Sequence, residues 1–204
     1  MPDFSFEYQY PAPIAGVDEA GRGPWAGPVV AAAVILDPRH LPKGLDDSKK
    51  LSAKRREVLF DELQTVADVA VGIGSVAEID QLNIARANDL AMRRALDGLS
   101  VRPGFVLIDG AHVPHQLDLP ARAIPKGDGI SLSIAAASII AKVTRDRLMV
   151  QLDAQHPGYG WARNMGYGTA QHRAALKQLG VTPAHRRSFR PIHEVILEED
   201  NATY

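Results

Sequence analysis

Residues 14–36 read IAGVDEAGRGPWAGPVVAAAVIL. Ile14–Asp18 has the apolar character of a short buried strand, and it runs straight into two adjacent acids, Asp18 and Glu19. Pro28–Leu36 is an unbroken apolar run rich in valine and alanine, as expected of a second strand buried on both faces. Between the two lies a glycine–arginine–glycine step, Gly21-Arg22-Gly23, followed by Pro24. Consecutive residues of a regular strand point to opposite faces. Asp18 and Glu19 are therefore expected to share a site only if the chain leaves extended geometry at Glu19, which the Ala20–Pro24 segment would permit. Glycines there allow close backbone approach by a ligand, free amides can bind anionic oxygens, and Arg22 adds a planar cation.

The rest of the chain alternates helical and extended patterns. Residues 1–13 are expected to be a loosely ordered lead-in. Ser52 is placed to cap a helix running to about Gln64. Val66–Val76 reads as a third strand. Asn83–Leu99 is an amphipathic helix with Ile84, Ala87, Ala91, Ala95 and Leu99 on one side. Gly104–Asp109 and Pro120–Pro125 read as strands four and five, Ser131–Leu152 as a long helix, and Thr169–Leu179 as another, with a basic turn after Pro183. Strands one to three are close enough to form a meander, whereas four and five come with intervening helices, as parallel neighbours do. The expected architecture is α/β, a five-stranded mixed sheet flanked by helices.

Composition narrows the chemistry. The 204 residues contain no cysteine, which excludes disulfides, thiolate nucleophiles and cysteine-bound zinc. No signal peptide or membrane-spanning run is evident, so a cytoplasmic protein without a membrane partner is expected. The net charge of −1 conceals a segregation: Ala154–His193 holds no acid, six Lys or Arg, and four of the seven histidines. One-sign segments of this kind suit a polyanion surface.

Three acids stand at strand or helix ends. Asp18 follows IAGV, Asp109 follows FVLI, and Asp128 lies in KGDG before the long helix, with Glu19 adjoining Asp18. Taken singly, each has an ordinary reading as a solvated strand end, a turn residue or a helix cap. Jointly they sit where the ends of central strands converge. Crowded carboxylates repel one another, and divalent cations relieve this; oxygen ligands suit Mg²⁺ or Mn²⁺. Such clusters hold ion pairs for in-line displacement at phosphorus.

The segments GVDEAGRGPWAGPVVAAAVIL, DDSKKLS, LNIARANDLAMRRAL, VLIDG, KGDGISLSIAAASIIAKVTRDR, HPGYGWARNMGYGT and HRRSF resemble, in order, the bacterial ribonuclease HII family over residues 12–193. The resemblance implies a ribonuclease H-like catalytic domain over 14–155 and a helical, basic C-terminal extension over 156–204 packed on it. Asp18, Glu19, Asp109 and Asp128 match the family's four catalytic, metal-holding acids, and the implied cofactors are two divalent cations, Mn²⁺ or Mg²⁺. Gly21, Arg22 and Gly23 match the motif that senses the ribonucleotide 2′-hydroxyl, and Tyr167 matches the tyrosine that stacks at the RNA–DNA junction. The implied activity is hydrolysis of RNA in RNA–DNA hybrids and nicking of duplex DNA 5′ to an embedded ribonucleotide, leaving 3′-hydroxyl and 5′-phosphate ends, in ribonucleotide removal, by a monomer. Trp25 stands where leucine is commonest. The C-terminal basic residues, with Lys49, Lys50, Lys142 and Arg145, are expected to touch phosphates. A two-metal DNA nuclease of the same fold (resolvase- or integrase-like) and a non-enzymatic nucleic-acid-binding protein are the competing readings.

Overall fold

The computed structural model describes residues 1–201, with side chains through Glu198. Five strands form one sheet: β1 (Ile14–Ala20), β2 (Val29–Leu36), β3 (Ala67–Gly74), β4 (Phe105–Asp109) and β5 (Ala121–Ile124). Their order is β3-β2-β1-β4-β5. The first three pair antiparallel as the expected meander, and β1–β4 and β4–β5 pair in parallel.

Helices cover both faces. On one side lie α1 (Ala53–Val66) and α4 (Leu132–Gln155); on the other lie α2 (Val76–Leu82) and α3 (Ile84–Asp97). Strand alternation divides the core between them. Ala15, Val17, Ala31 and Ala33 pack with Ala87, Ala91 and Ala95 of α3. Ala32 and Val34 pack with Leu59 and Leu63 of α1 and with Ile139, Ile140 and Val143 of α4. Small residues on β1 and β2 bring the helices close. A Cβ on Gly16 would lie 2.1 Å from the Ser133 backbone, so glycine is what lets α4 cross β1 there.

At 24 residues α4 is about 36 Å long, long enough to leave the sheet and enter a separate cluster. There Met149 meets Tyr159 and Trp161, the latter in the short α5 (Trp161–Asn164), with Ala175 and Leu176 of α6 (Ala170–Leu179) and Ile192 of α7 (Arg190–Asn201). Residues 202–204 of the expected extension lie outside the described residues. Among those described, no helix is long and apolar enough to cross a membrane.

Two expectations are corrected. The lead-in is tied down: Glu7, in a short 3₁₀ turn, is buried, and its Oε1 accepts bonds from Ser131 Oγ at 2.6 Å and Ser133 N at 2.9 Å. It thus places a carboxylate at the N-terminus of α4, where free amides and the helix dipole favour negative charge. Tyr10 also stacks on Phe105. The second correction concerns Glu19, where the chain stays extended; β1 continues through Ala20, in register with Val30 of β2.

Candidate active site

The two acids of β1 face opposite ways. Asp18 pairs with Ala32 and belongs to the α4 face, and Glu19 pairs with Ala31 on the α3 face. They share a site because the sheet ends beside them: β4 stops pairing with β1 at Val17–Ile108. Past that point both carboxylates line one cleft of about 340 Å³, together with Gly21–Gly23, Ser48, Lys49, Ser138, Lys142 and Tyr167.

Burial, the Glu19 charge and then Asp109 push the Asp18 carboxyl well above the usual range, and the side chain is only 5% exposed. Its Oδ1 accepts from the Glu19 amide at 2.7 Å. Burial also raises Glu19, against the opposing influence of Arg22, whose Nη1 lies 3.3 Å from Oε1. Asp109 ends β4 and accepts from Gly127 N at 2.7 Å, a bond that fixes the turn carrying Asp128. Asp128 is raised by burial and by Asp109, and Lys49 Nζ stands 3.6 Å from its Oδ2. Burial works against the Lys49 ammonium, but Asp128 and Asp18 outweigh it and hold its pKa up.

These four acids converge without touching. Among the described residues, no three His, Asp or Glu side chains stand close enough to enclose one ion. The donor set nevertheless suits hard divalent cations: all four are carboxylates, and the buried Asp18 and Asp128 and the half-buried Glu19 carry charge penalties that a cation would remove.

The glycine loop is held from behind by two buried cations that sequence reasoning assigned to phosphates. Arg145 and Arg186 are 2% and 0% exposed. Arg186 donates to the carbonyls of Gly21 (2.5 Å), Arg22 (2.8 Å) and Gly27 (2.9 Å). Arg145 donates to those of Pro28 (3.1 Å), Met165 (3.0 Å) and Ala26 (3.2 Å). Burial lowers their pKa values to about 10 for Arg145 and about 9 for Arg186, which leaves both charged at neutral pH. With its carbonyls drawn back, the loop keeps the amides of Gly21, Arg22 and Gly23 unbonded to any described residue. Gly21 needs its glycine twice over: φ is +95°, and a Cβ would lie 1.9 Å from Arg145 Nε.

Tyr167 stands across the cleft, 51% exposed, and a Cβ on Gly23 would lie 3.5 Å from its ring. Trp25 supports the Tyr167 loop. Its amide donates to Gly166 O at 2.8 Å, and its indole fills the space under Gly168 beside His172, with Arg173 over the ring. Sequence reasoning missed the roles of Arg145 and Arg186, because their partners are main-chain groups that leave no residue-type signal.

A family model described as ribonuclease HII matches residues 15–192. A ribonuclease HII of Roseobacter denitrificans is 60% identical over 188 residues, covering 92% of this chain and 95% of the relative. One from Ruegeria pomeroyi is 59% identical over 203 residues, covering 98% and 87%. The crystal structure of ribonuclease H2 from Pyrococcus horikoshii superposes with a TM-score of 0.78 at 29% identity, covering 94% of this chain and 99% of that one. With the matched segment taking in β1, β4 and the loop between Asp18 and Gly23, the chain belongs to the ribonuclease HII family.

Proposed function

We propose that this chain is an endonuclease that hydrolyses the RNA strand of RNA–DNA hybrids and nicks duplex DNA 5′ to an embedded ribonucleotide. The observation that carries this reading is the shared cleft: the Asp18 and Glu19 carboxylates open onto the same space as the unbonded amides of Gly21–Gly23. Chemistry at a phosphodiester and inspection of the adjoining sugar are thereby placed within six residues.

Asp18, Glu19, Asp109 and Asp128 would hold two divalent ions, Mg²⁺ or Mn²⁺, which when bound activate water and neutralise the leaving 3′-oxygen. The loop amides are donors for the 2′-hydroxyl, the group that separates RNA from DNA. Because Arg186 fixes the Gly21 and Arg22 carbonyls, those donors are preorganised and do not turn inward. Tyr167 offers an exposed ring to the nucleotide beside the scissile bond, and Lys49 and Lys142 add positive charge to the cleft for the phosphates.

The test is incision of an end-labelled duplex carrying one ribonucleotide, with Mg²⁺, Mn²⁺ or chelator, mapping the cut. A single nick 5′ to the ribonucleotide, dependent on metal and absent from all-DNA duplex, is expected. Cutting of all-DNA junctions would favour a resolvase-like nuclease instead. Asp109→Asn should bind the duplex and fail to cut it; unimpaired cutting would sink the assignment of the acids.

A further inference from the structure

Behind the Tyr167 loop two histidines are sealed in the C-terminal cluster. His172, in α6, is 0% exposed, and His185, in the turn before α7, is 1% exposed. Their Nε2 atoms are 3.0 Å apart. Trp161 Nε1 donates to His172 Nε2 at 3.2 Å, and Thr182 N donates to His185 Nδ1 at 2.9 Å. His172 Nδ1 lies 3.0 Å from the Tyr167 carbonyl oxygen.

The donors at the edges of this group fix every proton inside it. Thr182 N–H points at His185 Nδ1, so that nitrogen is bare and the His185 proton sits on Nε2. That proton is donated to His172 Nε2, which also receives the Trp161 N–H and must be bare. The remaining proton of His172 is then on Nδ1, aimed at the Tyr167 carbonyl. Reversing either ring would set two protons face to face or turn a bare nitrogen towards a carbonyl oxygen. Both rings are neutral in this arrangement, consistent with burial lowering His172 and bringing His185 to about 3.

We infer that His172 and His185 form a directional imidazole relay that anchors the Tyr167 main chain, making both of them positioning residues for the exposed Tyr167 ring. The same carbonyl also accepts from Thr169 N at 2.8 Å, and Tyr167 N donates to Asn164 O at 2.9 Å. The Thr169 bond ties this carbonyl to the cap of α6, and the His172 bond carries the tie on through His185 to the turn before α7. Through Thr182 and His185, the segment ahead of α7 thus helps set where Tyr167 stands across from Gly23. The relay acts on the reaction through Tyr167, and so rests on the reading that this ring meets the substrate.

His172→Gln is the selective variant. A glutamine amide can reach the place of Nε2 and accept from Trp161 and His185, but it has no donor in the place of Nδ1. Single-turnover incision of a one-ribonucleotide duplex is compared for the parent, His172→Gln, Tyr167→Ala and the double variant. His172→Gln is expected to slow incision by about ten- to a hundredfold, and to add less than about twofold in the Tyr167→Ala background, since residues acting as one unit are non-additive. An equal loss in both backgrounds, or none in either, overturns the relay. Tyr167→Ala incising at the parental rate would instead overturn the role of the ring. A measurement independent of any variant's folding is the ¹⁵N spectrum of the unaltered protein at neutral pH: His172 must carry its proton on Nδ1 and His185 on Nε2. Either opposite tautomer overturns the assignment.

Discussion

Arg186 and Gly21 show how much of this site depends on groups whose side chains never enter the cleft. Arg186 is a fully buried cation with main-chain oxygens as its hydrogen-bond partners. Desolvating a guanidinium is costly, and the bonds to Gly21, Arg22 and Gly27 offset that cost while fixing the loop. Arg186→Met should keep most of the packing of the stem and lose the fork. Incision of a one-ribonucleotide duplex is then expected to fall about ten- to a hundredfold, while urea unfolding shows a stability loss of only about 1–3 kcal/mol. A variant cutting at the parental rate would mean that the loop holds its shape unaided. Gly21→Ala should be destabilised by about 1–3 kcal/mol, because alanine is strained at φ +95° and its methyl meets Arg145; urea midpoints on the same scale check it. At this scale the sequence was legible where side chains line the cleft, as with Asp18 and Glu19, and misleading where a cation serves the backbone. Arg145 among the charges of α4 and Arg186 in the acid-free segment both resemble phosphate contacts, and only burial distinguishes the two uses.

Periodicity exposed the elements that pack on one partner and hid those defined by distant ones. The apolar runs ending in Asp18 and Asp109 were readable as strands because both faces of β1 and β4 are covered. Helix α2 was not anticipated: only its first residue, Val76, falls in the expected third strand, and VAEIDQL is too short, at seven residues, to show a helical period. Its capping box was nonetheless present: Ser75 Oγ accepts from Glu78 N at 3.2 Å, and Ser75 N donates to Glu78 Oε2 at 2.9 Å. Helix α7 lies in the stretch expected as a helical extension, and its Ile192 is buried against the C-terminal cluster. The lead-in was the plainest miss, for Glu7 finds its partners 124 and 126 residues away. That contact makes a prediction about α4, the helix that links the sheet to the C-terminal cluster. Glu7→Ala removes the acceptor of the Ser131 hydroxyl and Ser133 amide, and should lower stability by about 1–3 kcal/mol. Amide exchange should quicken in the first turn of α4 and in residues 1–13 together; unchanged protection there would mean that the cap does not hold the lead-in.

Across the whole molecule the acids at the sheet end set the proposed function against stability. Asp18, Glu19 and Asp128 all have raised pKa values, so the folded chain holds their protons more tightly than the unfolded chain does. By linkage, their contribution to stability is fully present below the unfolded carboxylate range and is lost as pH rises through the folded values. Other acids act in reverse: Glu78, paired with Arg94 and brought to about 2, supports the fold above that range. Subtracting one protein from another isolates the site. The stability of Asp18→Asn minus that of the parent, measured without metal by urea unfolding, should increase as pH rises from 4 to 8, because the variant no longer has to bury that charge. The same variant should fail to incise. Adding Mg²⁺ or Mn²⁺ should raise the parent's stability, by about 2.7 kcal/mol at a hundredfold excess over Kd. It should raise that of Asp18→Asn much less. A difference that stays flat with pH would show that Asp18 carries no buried-charge penalty. An equal metal response in both proteins would place the ions away from β1.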